Sequence, residues 1–260
     1  MALAEPVLAE DRAFAPFGIP LAGWRALATG AGIALVWAIL PVSFLLLPLV
    51  TLVHEIGHTA MSWLFGIPAL PAFDFTHGGG LTLMDGERSW LLVACVVGML
   101  GTVAYRGRGR PRVWMGAALV GALYLLSIDR AAEHVAISVM GHGGELAFAA
   151  VFLARALTGW GCKLAMERPL YGFIGCFVLL HDVGFAWGLM RSAGARELYY
   201  EGKAGLENDF VVVASILGWR LESLGAVFLL ATFAVIPVAV AVARAWLRLA
   251  GPSDFDDSAM

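Results

Sequence analysis

The sequence predicts an all-α polytopic membrane protein with six or seven transmembrane helices and a small surface β-hairpin. Three observations carry that expectation. Of the 260 residues, 60% are hydrophobic and only 14% charged, where a soluble domain carries about 25% charge. Several windows stay apolar for about 17–22 residues, the length that crosses a hydrocarbon core of about 30 Å. Between two of them, Gly78-Gly79-Gly80 separates two short stretches with strand character.

The elements follow in chain order. Residues 1–23 form an N-terminal extension with acidic residues and prolines. It lacks a basic region ahead of an apolar core and so does not resemble a cleaved signal peptide. A single transmembrane domain is expected over residues 24–250, with its core at 45–157, followed by an acidic tail at 251–260 that holds Asp254, Asp256 and Asp257 and is expected to be disordered. The first apolar stretch, Leu27 to Gly66, is too long for one span and contains Pro41 and Pro48, which predicts two helices or one sharply broken helix. Further spans are expected near Ser89–Tyr105, Val113–Ile128, Leu170–Met190 and Leu224–Trp246. Glu145–Leu157 is short enough to lie partly in the interface. The hairpin is expected to pair Phe73-Asp74-Phe75-Thr76-His77 with Leu81-Thr82-Leu83-Met84-Asp85. The connection Ser192–Glu222 mixes charged and apolar residues, as an interfacial amphipathic helix does.

Charge and cysteine content exclude some classes. A net charge of -3 argues against a nucleic-acid partner, which needs clustered Lys and Arg on one face. The one dense basic run, Arg106, Arg108, Arg110 and Arg112, sits between two spans and reads as a cytoplasmic loop. Cys95, Cys162 and Cys176 are odd in number and far apart, so they read as small buried hydrophobes, with no disulfide framework.

The chemistry is concentrated at His54-Glu55-Ile56-Gly57-His58, inside an apolar window. Helical residues four apart share a face, so His54 and His58 can turn their imidazoles toward one metal ion, with Glu55 beside it as general base. A catalytic zinc keeps three protein ligands and an open position. An ionised side chain at the middle of a membrane helix costs about 2.5–3.5 kcal/mol even on a lenient scale, so three polar residues within five positions need a compensating partner. A metal ion supplies one; hydrogen bonds between helices, with Glu55 paired to a buried arginine, are the plainer alternative.

Two imidazoles leave such a zinc one ligand short. His142, in Gly141-His142-Gly143-Gly144-Glu145, is the leading candidate because its flanking glycines allow close approach. Asp182, next to His181, and Glu145 are the alternatives. For any of these alone, a polar contact between helices is the plainer reading.

The runs Leu52–His58, Gly78–Asp85 and Met140–Gly144 resemble, in order and spacing, the site-2 protease family of intramembrane zinc metallopeptidases. The resemblance covers about Leu45–Leu157. It implies a metal-binding helix, a glycine-bearing hairpin, one span, and a further span whose Asp-Gly motif gives the third zinc ligand. That position is His142 here, an imidazole in place of a carboxylate. The family's substrate-holding Asn falls on His134, and its intervening Pro is absent. Glu145 would then orient a ligand imidazole. The resemblance also places the metal nearer the cytosol and the Arg106–Arg112 loop outside, opposite to the positive-inside reading.

The expectation is therefore a zinc metalloendopeptidase, integral to a membrane and expected in a bacterial inner membrane. It would cleave a membrane-protein or membrane-anchored peptide substrate received along the hairpin edge. The alternative is a non-catalytic relative acting as an assembly factor or as a subunit of a larger membrane complex. A transporter using His134, His142, His181 and Asp182 fits the motif order less well.

Overall fold

The computed structural model describes residues 16–41, 43–74, 79–128, 130–202 and 205–250. Its helices and strands are α1 (Leu21–Ile39), α2 (Leu47–Leu64), β1 (Ala69–Phe73), β2 (Gly80–Met84), α3 (Trp90–Arg106), α4 (Pro111–Ser127), α5 (Ala131–Thr158), α6 (Glu167–Arg191), α7 (Ala193–Glu201), α8 (Asp209–Leu217) and α9 (Leu221–Ala250). Among the described residues, five helices are long and apolar enough to cross a membrane: α1, α2 with its preceding 3-10 turn, α5, α6 and α9. Two more, α3 and α4, are apolar but only 17 residues each. The protein is thus a helical membrane protein with one small sheet.

The break in the first apolar stretch falls at Pro41, between the end of α1 and the 3-10 turn Ser43–Leu46. Pro48 is the second residue of α2, where the missing N–H costs no helical hydrogen bond. The region expected as a short, partly interfacial Glu145–Leu157 segment lies instead inside the 28-residue α5. The helix starts 14 residues ahead of the expected segment and runs through Gly141, Gly143 and Gly144. The expected interfacial helix over Ser192–Glu222 is two short helices, α7 and α8. The hairpin exists as an antiparallel pair, but β1 begins at Ala69, ahead of the expected Phe73, with Ala69 opposite Met84 and Phe73 opposite Gly80. Pro71 sits within β1; in a two-stranded sheet both strands are edges, where proline is tolerated. Residues 75–78, which include part of the expected glycine turn, lie outside the described residues, as do most of the N-terminal extension and the acidic tail.

The chain divides into two compact units. One comprises residues 1–47, 145–192 and 225–260, and the other residues 48–144 and 193–224. In the first, α1 crosses α6 where Gly30 meets backbone: a side chain at position 30 would come within 2.5 Å of the Gly172 carbonyl carbon. Membrane helices gain packing by such small-residue contacts, since lipid supplies no hydrophobic drive between them. Ile19, Ala154, Leu157 and Ala243 form a buried cluster flanked by Trp24, Leu27, Val240 and Leu247. Arg168 donates to the Ala156 and Leu157 carbonyls at 3.2 and 2.9 Å, satisfying acceptors that the end of α5 leaves open.

The second unit holds α2, the hairpin, α3, α4, the first half of α5, α7 and α8. The end of α2 is capped twice. Tyr124 of α4 donates to the Leu64 carbonyl at 2.6 Å, and Arg88 donates to the Phe65 carbonyl. The same guanidinium meets both oxygens of buried Glu133 at 3.0 Å, tying the segment after the hairpin to the first turn of α5. Midway along, α2 and α5 touch through glycines: a Cβ on Gly144 would sit 2.8 Å from the Gly57 Cα and 3.0 Å from the Val53 carbonyl oxygen.

That approach predicts a contrast between two substitutions. Gly144→Val should lower stability by about 1–3 kcal/mol through overpacking, measured as thermal unfolding in detergent. Gly98→Ala, in α3 where an added Cβ meets nothing within 4 Å, should be neutral or raise stability by up to about 1 kcal/mol.

Candidate metal centre

The centre is built within the second unit from α2, α5 and α8. On α2, one helical turn brings the imidazoles of His54 and His58 edge to face, with ring centroids 4.7 Å apart and Nε2 atoms 3.0 Å apart. His58 Nδ1 donates to the Ile137 carbonyl of α5 at 2.8 Å. A carbonyl can only accept, so the proton belongs on Nδ1 and the neutral ring turns its Nε2 lone pair toward His54. A carbonyl on the far nitrogen orients metal-binding imidazoles in this way.

The third donor comes from α8. Asp209 Oδ2 lies 2.8 Å from His54 Nε2 and 3.1 Å from His58 Nε2. Burial pushes the Asp209 carboxyl upward, but the two imidazoles beside it, His54 and His58, outweigh that and hold the group well below the usual carboxylate range. Three donor atoms thus form a triangle with sides of 2.8, 3.0 and 3.1 Å. Ligands of a tetrahedral zinc at about 2.0–2.1 Å stand roughly 3.3 Å from one another. Opening the triangle by a few tenths of an ångström is enough to seat an ion, and two neutral nitrogens with one carboxylate oxygen suit zinc.

Glycine makes the space. Gly141 of α5 faces the imidazoles, and a Cβ there would fall 2.5 Å from His54 Nε2 and closer still to His58 Nε2. The glycines around residue 142 therefore leave room for side chains on another helix, while their own helix runs through unbroken.

Glu55 is buried next to His54, and its carboxylate meets the hairpin. Thr82 Oγ1 of β2 donates to Glu55 Oε2 at 2.7 Å. Gly80 lies against the same side chain: a Cβ there would be 2.5 Å from Glu55 Cγ and Oε1. β2 thus lies across α2 at Glu55, and its glycine and threonine are the residues that allow and hold that contact.

The other expected site residues fall in different places. His142 is buried beside the cluster, its ring centroid 4.7 Å from those of His54 and Phe210. It offers a ring nitrogen within 4.8 Å of one on His54. His134 is exposed in the first turn of α5, about 12 Å along the helix axis from residue 142. Glu145 and Asp182 are both buried and belong to the other unit, where Asp182 Oδ1 lies 3.6 Å from His181 Nδ1. Sequence reasoning did not single out Asp209. Its signal was an acidic residue opening the apolar run Phe210-Val211-Val212-Val213, which reads as an ordinary helix start.

No protein-family model matches this chain, and neither does any curated protein or solved structure. The geometry of the centre is accordingly the ground for any functional reading.

Two expectations follow. Metal analysis of the purified protein should find one zinc per chain, and Asp209→Ala should weaken zinc binding more than about 100-fold, beyond the 10–100-fold typical of an outer-shell loss; His134→Ala should leave it unchanged. Binding should also weaken as pH is lowered from neutral, because protons compete with the metal for the imidazoles and the carboxylate.

Proposed function

We propose that this protein is an intramembrane zinc metallopeptidase, related in its chemistry to the site-2 proteases that its motifs resemble. The observation that carries the reading is the convergence of His54, His58 and Asp209 on one point, on an apolar helix of membrane-spanning length that also presents buried Glu55. The resemblance calls for two imidazoles and one carboxylate, and Asp209 supplies that carboxylate from a connection outside the resembling segment. We also read α3 and α4 as crossing the bilayer, since 17 helical residues span about 26 Å; that gives seven spans.

A zinc ion bound by these three residues would supply Lewis-acid polarisation of water and of a substrate carbonyl. The chain's own groups do the rest. Glu55 accepts a proton from the attacking water and passes it to the leaving amine. The Thr82 hydroxyl, donating to Oε2, fixes the orientation of the carboxylate and leaves Oε1 for the water. The His58–Ile137 hydrogen bond holds the ring that keeps its nitrogen on the metal. His142, buried against His54 and Phe210, is placed to complete the coordination or to donate to the developing oxyanion. A membrane helix hides its peptide bonds in its own hydrogen bonds, so the substrate must be extended to be cut. The hairpin, whose β2 packs on Glu55, could take such an extended segment along a strand edge as an added strand.

Glu55→Gln separates the enzyme from a non-catalytic assembly factor that keeps the same metal. In proteoliposomes carrying membrane-protein substrates, the variant should retain one zinc per chain and lose cleavage by at least about 100-fold, the scale of a missing general base. Wild-type protein that binds zinc but yields no Glu55-dependent product would favour the scaffold.

A further inference from the structure

Asp209 is the first residue of the nine-residue helix α8, and Asn208 is its N-cap. The first N–H groups of any helix lack partners within it, and a residue such as Asn at the cap usually accepts from one of them through its side-chain oxygen. Asn208 does not: its side chain makes no capping hydrogen bond. Its amide nitrogen instead donates to the Tyr199 carbonyl of α7 at 2.6 Å. The vacated role is filled from the same residue, because the Phe210 N–H donates to the Tyr199 hydroxyl at 3.2 Å. The residues immediately before and after Asp209 are thus both tied to Tyr199, one through its backbone and one through its phenol. Phe210 is held on its other side by the His142 ring, 4.7 Å between centroids.

We propose that Tyr199 is a positioning residue for the metal centre: its carbonyl and hydroxyl grip the first turn of α8 on both sides of Asp209 and so fix the carboxylate against His54 and His58. The inference rests on the metal-binding reading above. Tyr199 touches the ligand's neighbours and acts only through where it puts Oδ2. Position matters because Asp209 is the one donor of the three that does not come from α2. The two imidazoles share a helix and move together, whereas the carboxylate reaches them from a separate nine-residue element.

The test uses the full-length protein in detergent, with cobalt(II) as a spectroscopic stand-in for zinc. Tyr199→Phe removes the phenol oxygen and keeps the ring. The expected result is a metal affinity lower by about 10–100-fold, the range for lost outer-shell partners, with one metal still bound at saturation. The cobalt absorption bands should also change in position and intensity, which a variant that only loosened the fold would not produce at saturation. Asn208→Ala, removing the other tie, should shift affinity and spectrum in the same direction, and it serves as the test if Tyr199→Phe does not fold. Wild-type affinity and an unchanged spectrum in the folded variant would overturn the positioning role while leaving the metal centre intact. Wild-type protein that binds neither zinc nor cobalt tightly would overturn the metal-binding reading and this inference with it.

Discussion

The structure turns on the cost of holding three ionisable groups within an apolar helix and the way that cost is offset. His54, Glu55 and His58 occupy five consecutive positions of α2, and each isolated charge at membrane depth is unfavourable by kilocalories. Every one of them has an identified partner. The imidazoles converge with the Asp209 carboxylate, His58 also donates to the Ile137 carbonyl, and Glu55 accepts from Thr82. Those partners come from α8, α5 and β2, so the elements of this unit are arranged around one polar point. A divalent ion at the centre of the triangle would replace these hydrogen bonds with coordination.

Small residues are what allow the elements to come so close. Gly57 and Gly144 bring α2 and α5 into contact, Gly141 leaves the volume into which the imidazoles turn, and Gly80 lets β2 lie on Glu55. In each case a methyl group would occupy space that a neighbouring backbone or functional side chain already fills. In α5 the helix runs unbroken through Gly141 and Gly144, and Gly144 meets α2 at Gly57.

Much of the architecture was legible because membrane helices must be long and apolar, and both properties are written in consecutive residues. The break at Pro41 and the apolar helices α3, α4, α6 and α9 follow from that alone. The pair His54 and His58 was legible for the same local reason, since four residues make one turn. What escaped was everything set by contacts between distant segments. Asp209 lies about 150 residues from the motif, and nothing near it in sequence distinguishes a ligand from a helix-starting acid. The resemblance led to His142, which the fold does bring beside His54, but the carboxylate that reaches both imidazoles belongs to a connection that appeared to be an interfacial helix. β1 begins four residues ahead of the expected strand, its place set by pairing with β2, a contact between segments.

X-ray absorption at the zinc edge, on protein purified without added chelator, tests the account most directly. The expected first shell holds two imidazole nitrogens and carboxylate oxygen at about 2.0–2.2 Å, and in Asp209→His the imidazole scattering should rise from two rings toward three. A spectrum without imidazole scattering, or protein that retains no zinc after dialysis at neutral pH, would contradict it.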